Sequence, residues 1–518
     1  MLHLKDRKGS QKGVCSLIGL FSLVFFLLFV AGCQQTSRSQ TEITKQALFD
    51  GKVPVSVFND SIIVGHLHQM AAAEDSRLEA DRRTAEHYQD SLQFSLWIDN
   101  SGVSSRADSL LAYLQQVEEI GLTTASFFVD SIRQDMKRLQ TLQSDSDAAE
   151  RKLVAARLEY HLTKACLRYV YGQRFGFVNP RQAFKNTGIF NLNIEEPARD
   201  FARQVTHKIL LDSLSQLLRD IQPHSAYYQQ LKAMLAKDST EAGRQRIMCN
   251  MERSRWRLKN PIPQTGKYII VNIPAFHLYA FGAGDSVLDM RVVCGAVKTK
   301  TPILDSKIEW MELNPKWIIP MSIIKKDVVR HVGDTAYFSR NRYDIFDRAT
   351  NQQMPVSSVS REMLLSGKYR VAQQSGSHNS LGRIVFRFKN PYSVYLHYTS
   401  NPSAFKRTVR AISHGCVRVS KPFELAEYLL NDPDEWLLDR IRISMSLYPK
   451  TKRGRTFWRE NPEEEDRKLI NSLGVKPNIP LYIIYNTLWT DEKGTLQTYP
   501  DIYGYDMVLW KNLQTFVK

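Results

Sequence analysis

The sequence predicts an α+β protein. An N-terminal helical domain, residues 46–262, precedes a mostly β domain, residues 266–450, that carries an inserted lid at about 314–374. Three observations predict this. Apolar residues recur at helical spacing over the first stretch. Near residue 266 they switch to the two-residue alternation of strands. Between 314 and 374 the pattern turns mixed and polar, over a span too long for a passive loop. Composition agrees with a globular chain, since 43% of the 518 residues are hydrophobic and 24% charged. At roughly 150 residues per domain, a chain of this length holds about three units.

The first forty residues stand apart from the fold. Lys5, Arg7, Lys8 and Lys12 make a basic start, and Val14 to Val30 is uncharged and almost wholly apolar. With the small residues that follow, residues 1–33 read as an export signal. The apolar run is near the shortest that spans a membrane, so a plain signal anchor is the competing reading. Val30–Cys33, Val-Ala-Gly-Cys, resembles a bacterial lipobox. That resemblance implies a lipid on Cys33 and a membrane held through several acyl chains. Polar residues 34–45 then read as a tether.

Export places the rest of the chain where disulfides are allowed. The six cysteines, Cys15, Cys33, Cys166, Cys249, Cys294 and Cys416, contain no CxxC pair and no regular spacing. They make neither a disulfide scaffold nor a zinc site. The net charge is +17; residues 1–32 hold four basic and one acidic side chain, which leaves +14. Outside the cytoplasm such a surface meets anionic envelope polymers and lipid headgroups rather than nucleic acid. A merely solvated basic surface fits the composition equally well.

Two helices are explicit. Ser105 to Gly121 opens on a Ser-x-x-Asp box and puts Ala107, Leu110, Leu111, Leu114 and Val117 on one face. Leu158, Leu162, Ala165 and Tyr169 form a second face, expected to end at Gly172, with Cys166 as a packed thiol. In the β region, Lys267–Ile273, then two strands joined at Gly282–Ser286, then Arg383–Phe388 and Tyr392–Tyr398 read as strands. Lys421 to Asp432 reads as a short amphipathic helix. Residues 451–518 begin with a basic-to-acidic surface connection. They return to a hairpin turning at Lys493-Gly494, an extension whose apolar residues require packing back on the body.

Chemistry concentrates at Cys416. A free thiol is only a few per cent thiolate at neutral pH, so a cysteine nucleophile needs an imidazole nearby. Cys166 sits within a helix, Cys294 in an apolar strand, and Cys249 has no histidine near it in sequence. Cys416 has His414 two residues before it and His397 nineteen before it. Gly415 allows close backbone approach. Residues two apart on an extended chain share a face, which favours His414 as base; a neighbouring strand could present His397 equally well. Spacing leaves both open.

The stretch from His397 through Ser413-His-Gly-Cys-Val-Arg418 resembles the signature of the YkuD-type L,D-transpeptidases, which cross-link peptidoglycan. "YIIVNIPAFHLYAF", "NPKWIIP", "NSLGRIVFRFKNPYSVYLH" and "YPDIYGYDMVLW" are similar to the larger YcbB-type branch, and "LRYVYGQRFGFVNP" to its helical scaffold. The resemblance implies Cys416 as nucleophile and His397 as base, its ring oriented by a backbone carbonyl, here that of Tyr398. It implies Ser413, His414 and Gly415 on the oxyanion side, with the N–H groups of Gly415 and Cys416 as donors. Arg418 would hold a substrate carboxylate or position the loop. The implied partners are peptidoglycan stem peptides and a membrane reached through the lipid, in the cell envelope facing the periplasm. No metal, organic cofactor or nucleic acid is implied.

Two features depart from that branch. Residues 227–261 leave no room for the small peptidoglycan-binding module expected there, and Ser375 replaces a proline at the lid exit. Other readings are a carboxypeptidase or exchange enzyme on the same stems, or a non-catalytic envelope-binding lipoprotein. His66 and His68 lack a third ligand nearby and read as helix or strand surface. Glu463–Asp466 reads as a solvated turn or helix start, Asp501–Asp506 as a structural turn, and His378 as a lid residue that could reach the site.

Overall fold

A computed structural model describes residues 60–517, apart from 90–94, 100–101, 143–146, 188, 212, 283–284 and 491–493. The expected signal, Cys33 and the tether lie outside the described residues, as do Lys493 and part of the turn at Gly282–Ser286. No helix among the described residues is long and apolar enough to cross a membrane.

The alternation that starts at Tyr268 becomes a series of strands: β1 (Tyr268–Asn272), β2 (His277–Gly282), β3 (Asp285–Gly295), β4 (Ile303–Leu313), β5 (Ile384–Phe388), β6 (Leu396–His397), β7 (Ala411–Ser413), β8 (Val417–Val419) and β9 (Ser472–Ile484). Eight of them hydrogen-bond in the order β5-β6-β8-β3-β2-β1-β9-β4, and β4 pairs back with β5, so the sheet closes into a barrel. Closure removes exposed edges. Strand β7 pairs with β3 off this path. The fold is helical first and β-rich second, as the sequence predicts.

The C-terminal extension is more than a covering. Strand β9 lies between β1, which it meets in parallel, and β4, which it meets antiparallel. The expected surface connection is partly a helix, Lys452–Glu460, capped by Thr451 Oγ1 on the Gly454 N–H at 3.0 Å. The Asp439 carboxylate accepts the N–H groups of Lys450 and Thr451 at 2.8 and 2.7 Å, which fixes the chain's entry.

The chain divides into two compact units, Met1–Asp108 with Ile132–Thr163, and Ser109–Ser131 with Lys164–Lys518. Helix Glu241–Arg255 belongs with the barrel because its polar side chains bind the extension. Asn250 Oδ1 accepts the N–H groups of Thr487 and Leu488 at 3.1 and 3.3 Å, and Arg253 pairs with Asp506 at 2.6 Å. In the first unit, Leu67, Ala71, Ala85, Tyr88, Ala156 and Tyr160 form a core. There the buried Glu159 carboxylate accepts the Leu96 and Trp97 N–H groups at 2.6 and 3.1 Å.

The helix holding Cys166 runs Ala148–Phe175, past Gly172. The ring of Phe177 lies where a Cβ on Gly172 would sit, at 2.0 Å, so this glycine serves close packing rather than termination. Tyr392–Tyr395 is also not strand. Asn390 Oδ1 takes the N–H groups of Tyr392 and Val394, at 3.0 and 3.1 Å, and this turn replaces ladder bonds.

The insertion between β4 and β5 is a folded module. Strands Trp317–Ile318, Tyr343–Asp347, Gln353–Met354 and Tyr369–Gln373 form a separate four-stranded sheet. Ile319, Ile324, Val328, Phe338, Ile345, Val359, Leu364 and Val371 make its own core. β4 and β5 pair directly with each other, so the module leaves and re-enters the barrel at one point. The buried Asn379 ties that neck, donating to the carbonyls of Pro315 and Gln374 at 3.1 and 2.9 Å.

Candidate active site

Strand β6 pairs in parallel with β8, which sets Leu396 opposite Val417 and His397 opposite Arg418. Cys416 precedes Arg418 by two residues, so strand alternation carried back from β8 puts it on the side of Arg418 and His397, while Leu396 and Val417 are buried in the core. His397 is 4% exposed, and its Nδ1 lies 3.3 Å from the Leu381 carbonyl. Burial, reinforced by the charge of Arg418, pushes the imidazole down to about 3, against smaller opposing effects from the backbones of Tyr398 and Leu381. His397 is thus neutral at neutral pH. Sequence reasoning named Tyr398 as the carbonyl that orients the ring; it did not find Leu381, which is sixteen residues away and carries no chemical signature.

Cys416 is partly buried and sits in the turn between β7 and β8. Burial raises its thiol; the Tyr395 backbone and the guanidinium groups of Arg418 and Arg387 act to lower it. Arg387 is held by Glu312, with Nε 3.0 Å from the carboxylate, and lies over the Tyr395 ring. The Arg418 side chain makes no hydrogen bond or ion pair among the described residues, and its Nε is buried without a partner. A desolvated, unpaired guanidinium beside a nucleophile is suited to a carboxylate.

The turn is held from within. Gly415 has φ +113°, a left-handed conformation that favours glycine. Its N–H donates to Ser413 Oγ at 3.1 Å, and that hydroxyl donates to the Cys416 carbonyl at 2.6 Å. Of the two N–H groups expected to face an oxyanion, Gly415's is therefore engaged, while that of Cys416 has no partner among the described residues. His414 is exposed. Its imidazole is lowered, first by desolvation and then by Lys326 and Arg418, with Asp327 opposing. Lys326 ends the first helix of the inserted module, Met321–Lys326, so this module approaches the nucleophile turn. His378 is exposed and offers its carbonyl to Gln373 Nε2 at 3.3 Å.

The other thiols among the described residues are buried, and burial raises each of them: Cys166 and Cys294 to about 12, and Cys249 further still. His66 and His68 lie on helix Ser61–Ala72. Asp501 binds the Tyr505 and Asp506 N–H groups at 2.8 and 2.9 Å at the start of helix Tyr505–Val517, a structural turn.

Comparison with known families follows the same lines. Residues 266–455, which hold every site residue above, match the family described as L,D-transpeptidase catalytic domain. Residues 82–235 match the Scaffold domain family. The chain carries an L,D-transpeptidase catalytic domain preceded by a scaffold domain. A Haemophilus influenzae protein named "Putative L,D-transpeptidase" is 29% identical over 317 residues, 60% of this chain and 59% of that protein. The match therefore spans about three-fifths of the relative's length. The transpeptidase domain, as matched, includes the inserted module but ends before β9, although β9 is a stave of the same barrel.

Proposed function

We propose that this chain is a cysteine-dependent peptidoglycan L,D-transpeptidase that forms cross-links between third-position residues of two stem peptides. The observation that supports it best is the placement of Cys416, neutral His397 and unpaired Arg418 on one face of β6 and β8. Arg418 holds the terminal carboxylate of a tetrapeptide donor. His397 takes the thiol proton as Cys416 sulfur attacks the carbonyl between the third and fourth residues. The oxyanion faces the open Cys416 N–H. His397 returns the proton to the departing D-Ala amine, leaving a thioester. A neutral acceptor amine then attacks; its proton passes to His397, the carbon–sulfur bond breaks and the thiol re-forms. The resting pair is a neutral thiol and a neutral imidazole, so proton transfer accompanies attack. Cys33 carries the lipid that holds the chain in the envelope, facing the periplasm.

The test is incubation of purified protein with tetrapeptide muropeptides, followed by mass spectrometry. Dimers linked between third-position residues are expected, with poor use of pentapeptide donors. Tripeptide monomers alone, at saturating acceptor, would reassign the chain as a carboxypeptidase. Acyl labelling tests the anchor: Cys33→Ser should abolish it.

A further inference from the structure

The C-terminal extension reaches the nucleophile through one residue. Tyr503 lies outside the transpeptidase match, yet its hydroxyl donates to the Gly295 carbonyl at 2.6 Å and accepts the Thr301 N–H at 3.2 Å. The Thr301 hydroxyl accepts the Gly295 N–H at 2.8 Å and donates to the Gly415 carbonyl at 2.9 Å. Thr299 Oγ1 donates to the Ser413 carbonyl at 2.8 Å, and the Ala296 N–H to the same oxygen at 2.9 Å. The residues on either side of His414 are thus both held by the segment after β3. That segment is in turn fixed by Tyr503.

The anchorage of Tyr503 is equally specific. Its N–H donates to Tyr485 Oη at 2.8 Å, and Tyr485 donates to Asp501 at 2.6 Å. Its ring stacks on Tyr485, and the Lys300 ammonium lies 5.6 Å from its centre. Thr301 is fully buried, with both hydroxyl valences used inside the ring of bonds. Gly415 has space for a Cβ, with nothing nearer than 3.5 Å, so packing alone does not fix this turn. Gly415 is buried at ordinary contact distances, and the polar bonds to its carbonyl and to that of Ser413 set the direction of the adjacent thiol and N–H.

We propose that Thr301 and Tyr503 are positioning residues for Cys416, making the C-terminal extension a working part of the active site. This rests on the reading of Cys416 as the nucleophile. A shift of the turn by an ångström costs acylation on the order of 100-fold while leaving the barrel intact.

The experiment measures carbapenem acylation of the full chain by intact-protein mass spectrometry, alongside iodoacetamide alkylation and thermal unfolding. Tyr503→Phe and Thr301→Val are each expected to slow acylation by roughly 10–100-fold. Alkylation, which needs no oxyanion donor, should change by less than about threefold, and Thr301→Ser should restore acylation. Folded variants that acylate within about twofold of the parent would overturn the proposal. So would loss of fold in both, which would make the ring purely structural. Cys416→Ala separates the two readings: if it still acylates, the nucleophile assignment itself fails; if it is inert while Tyr503→Phe and Thr301→Val behave as parent, only the positioning role fails.

Discussion

At Cys416 the surroundings pull in opposite directions. Burial disfavours the thiolate, and Arg418 and Arg387 favour it, with burial the larger effect. Iodoacetamide alkylation should therefore keep accelerating as pH rises past the ordinary thiol range, without a plateau near neutrality. A thiolate plateau at pH 6–7 would point instead to a preformed thiolate–imidazolium pair. Among variants, Cys416→Ala should abolish acylation. His397→Ala should slow it by roughly 10²–10⁴-fold, the scale of a general base, and His414→Ala far less, because His414 is exposed and outside the strand pairing that aligns His397. Stopped-flow acylation with the order reversed would make His414 the base. His397 also sets a pH dependence of stability. Its folded value near 3 lies below its ordinary 6.5, so the unfolded chain binds the extra proton. Stability is lost as pH falls from about 6.5 towards 3. His397→Gln should flatten that slope, read as the difference in urea midpoint between pH 7 and pH 5.

At the scale of elements, the inserted module is a folded unit of its own. It has its own sheet and core, and it joins the barrel at a single neck tied by Asn379. Closure over Cys416 should change hydrogen exchange at the neck and in Met321–Lys326, near His414, more than in the module's core strands. Uniform slowing across residues 317–373 on acylation would instead mean that the whole module orders on binding. Helix Ala148–Phe175 offers a plainer test. Gly172→Ala forces a methyl into the Phe177 ring, and should destabilise by roughly 1–3 kcal/mol as an overpacked site. Thermal unfolding measures it.

Over the whole molecule, the barrel joins segments far apart in the chain. Strand β9 follows the matched domain, yet separates β1 from β4. A chain cut after residue 455 loses that stave and both of its ladders. It should fail to give a soluble, acylable protein, whereas co-expressing the missing segment should recover some acylation. Full carbapenem reactivity of the truncated chain would show that the barrel closes without β9.

Much of this was legible in sequence because it depends on local periodicity and motif. The switch from helical spacing to alternation near 266, the left-handed glycine at Gly121 and the Ser413–Arg418 motif are all short-range signals. They located Cys416 and the helical-then-β order. What they left open was set by partners distant in sequence. The resemblance favoured His397 over His414, but its alignment with Arg418 comes from the parallel pairing of β6 with β8. Leu381 meets the imidazole through strand geometry that leaves no motif. Gly172 read as a helix stop because sequence cannot reveal an approaching ring. The extension read as a covering because its place in the barrel depends on ladders to β1 and β4, closed across some two hundred residues of chain. Local propensity and motif chose the elements and singled out Cys416; non-local hydrogen bonding and packing decided which residues stand beside it.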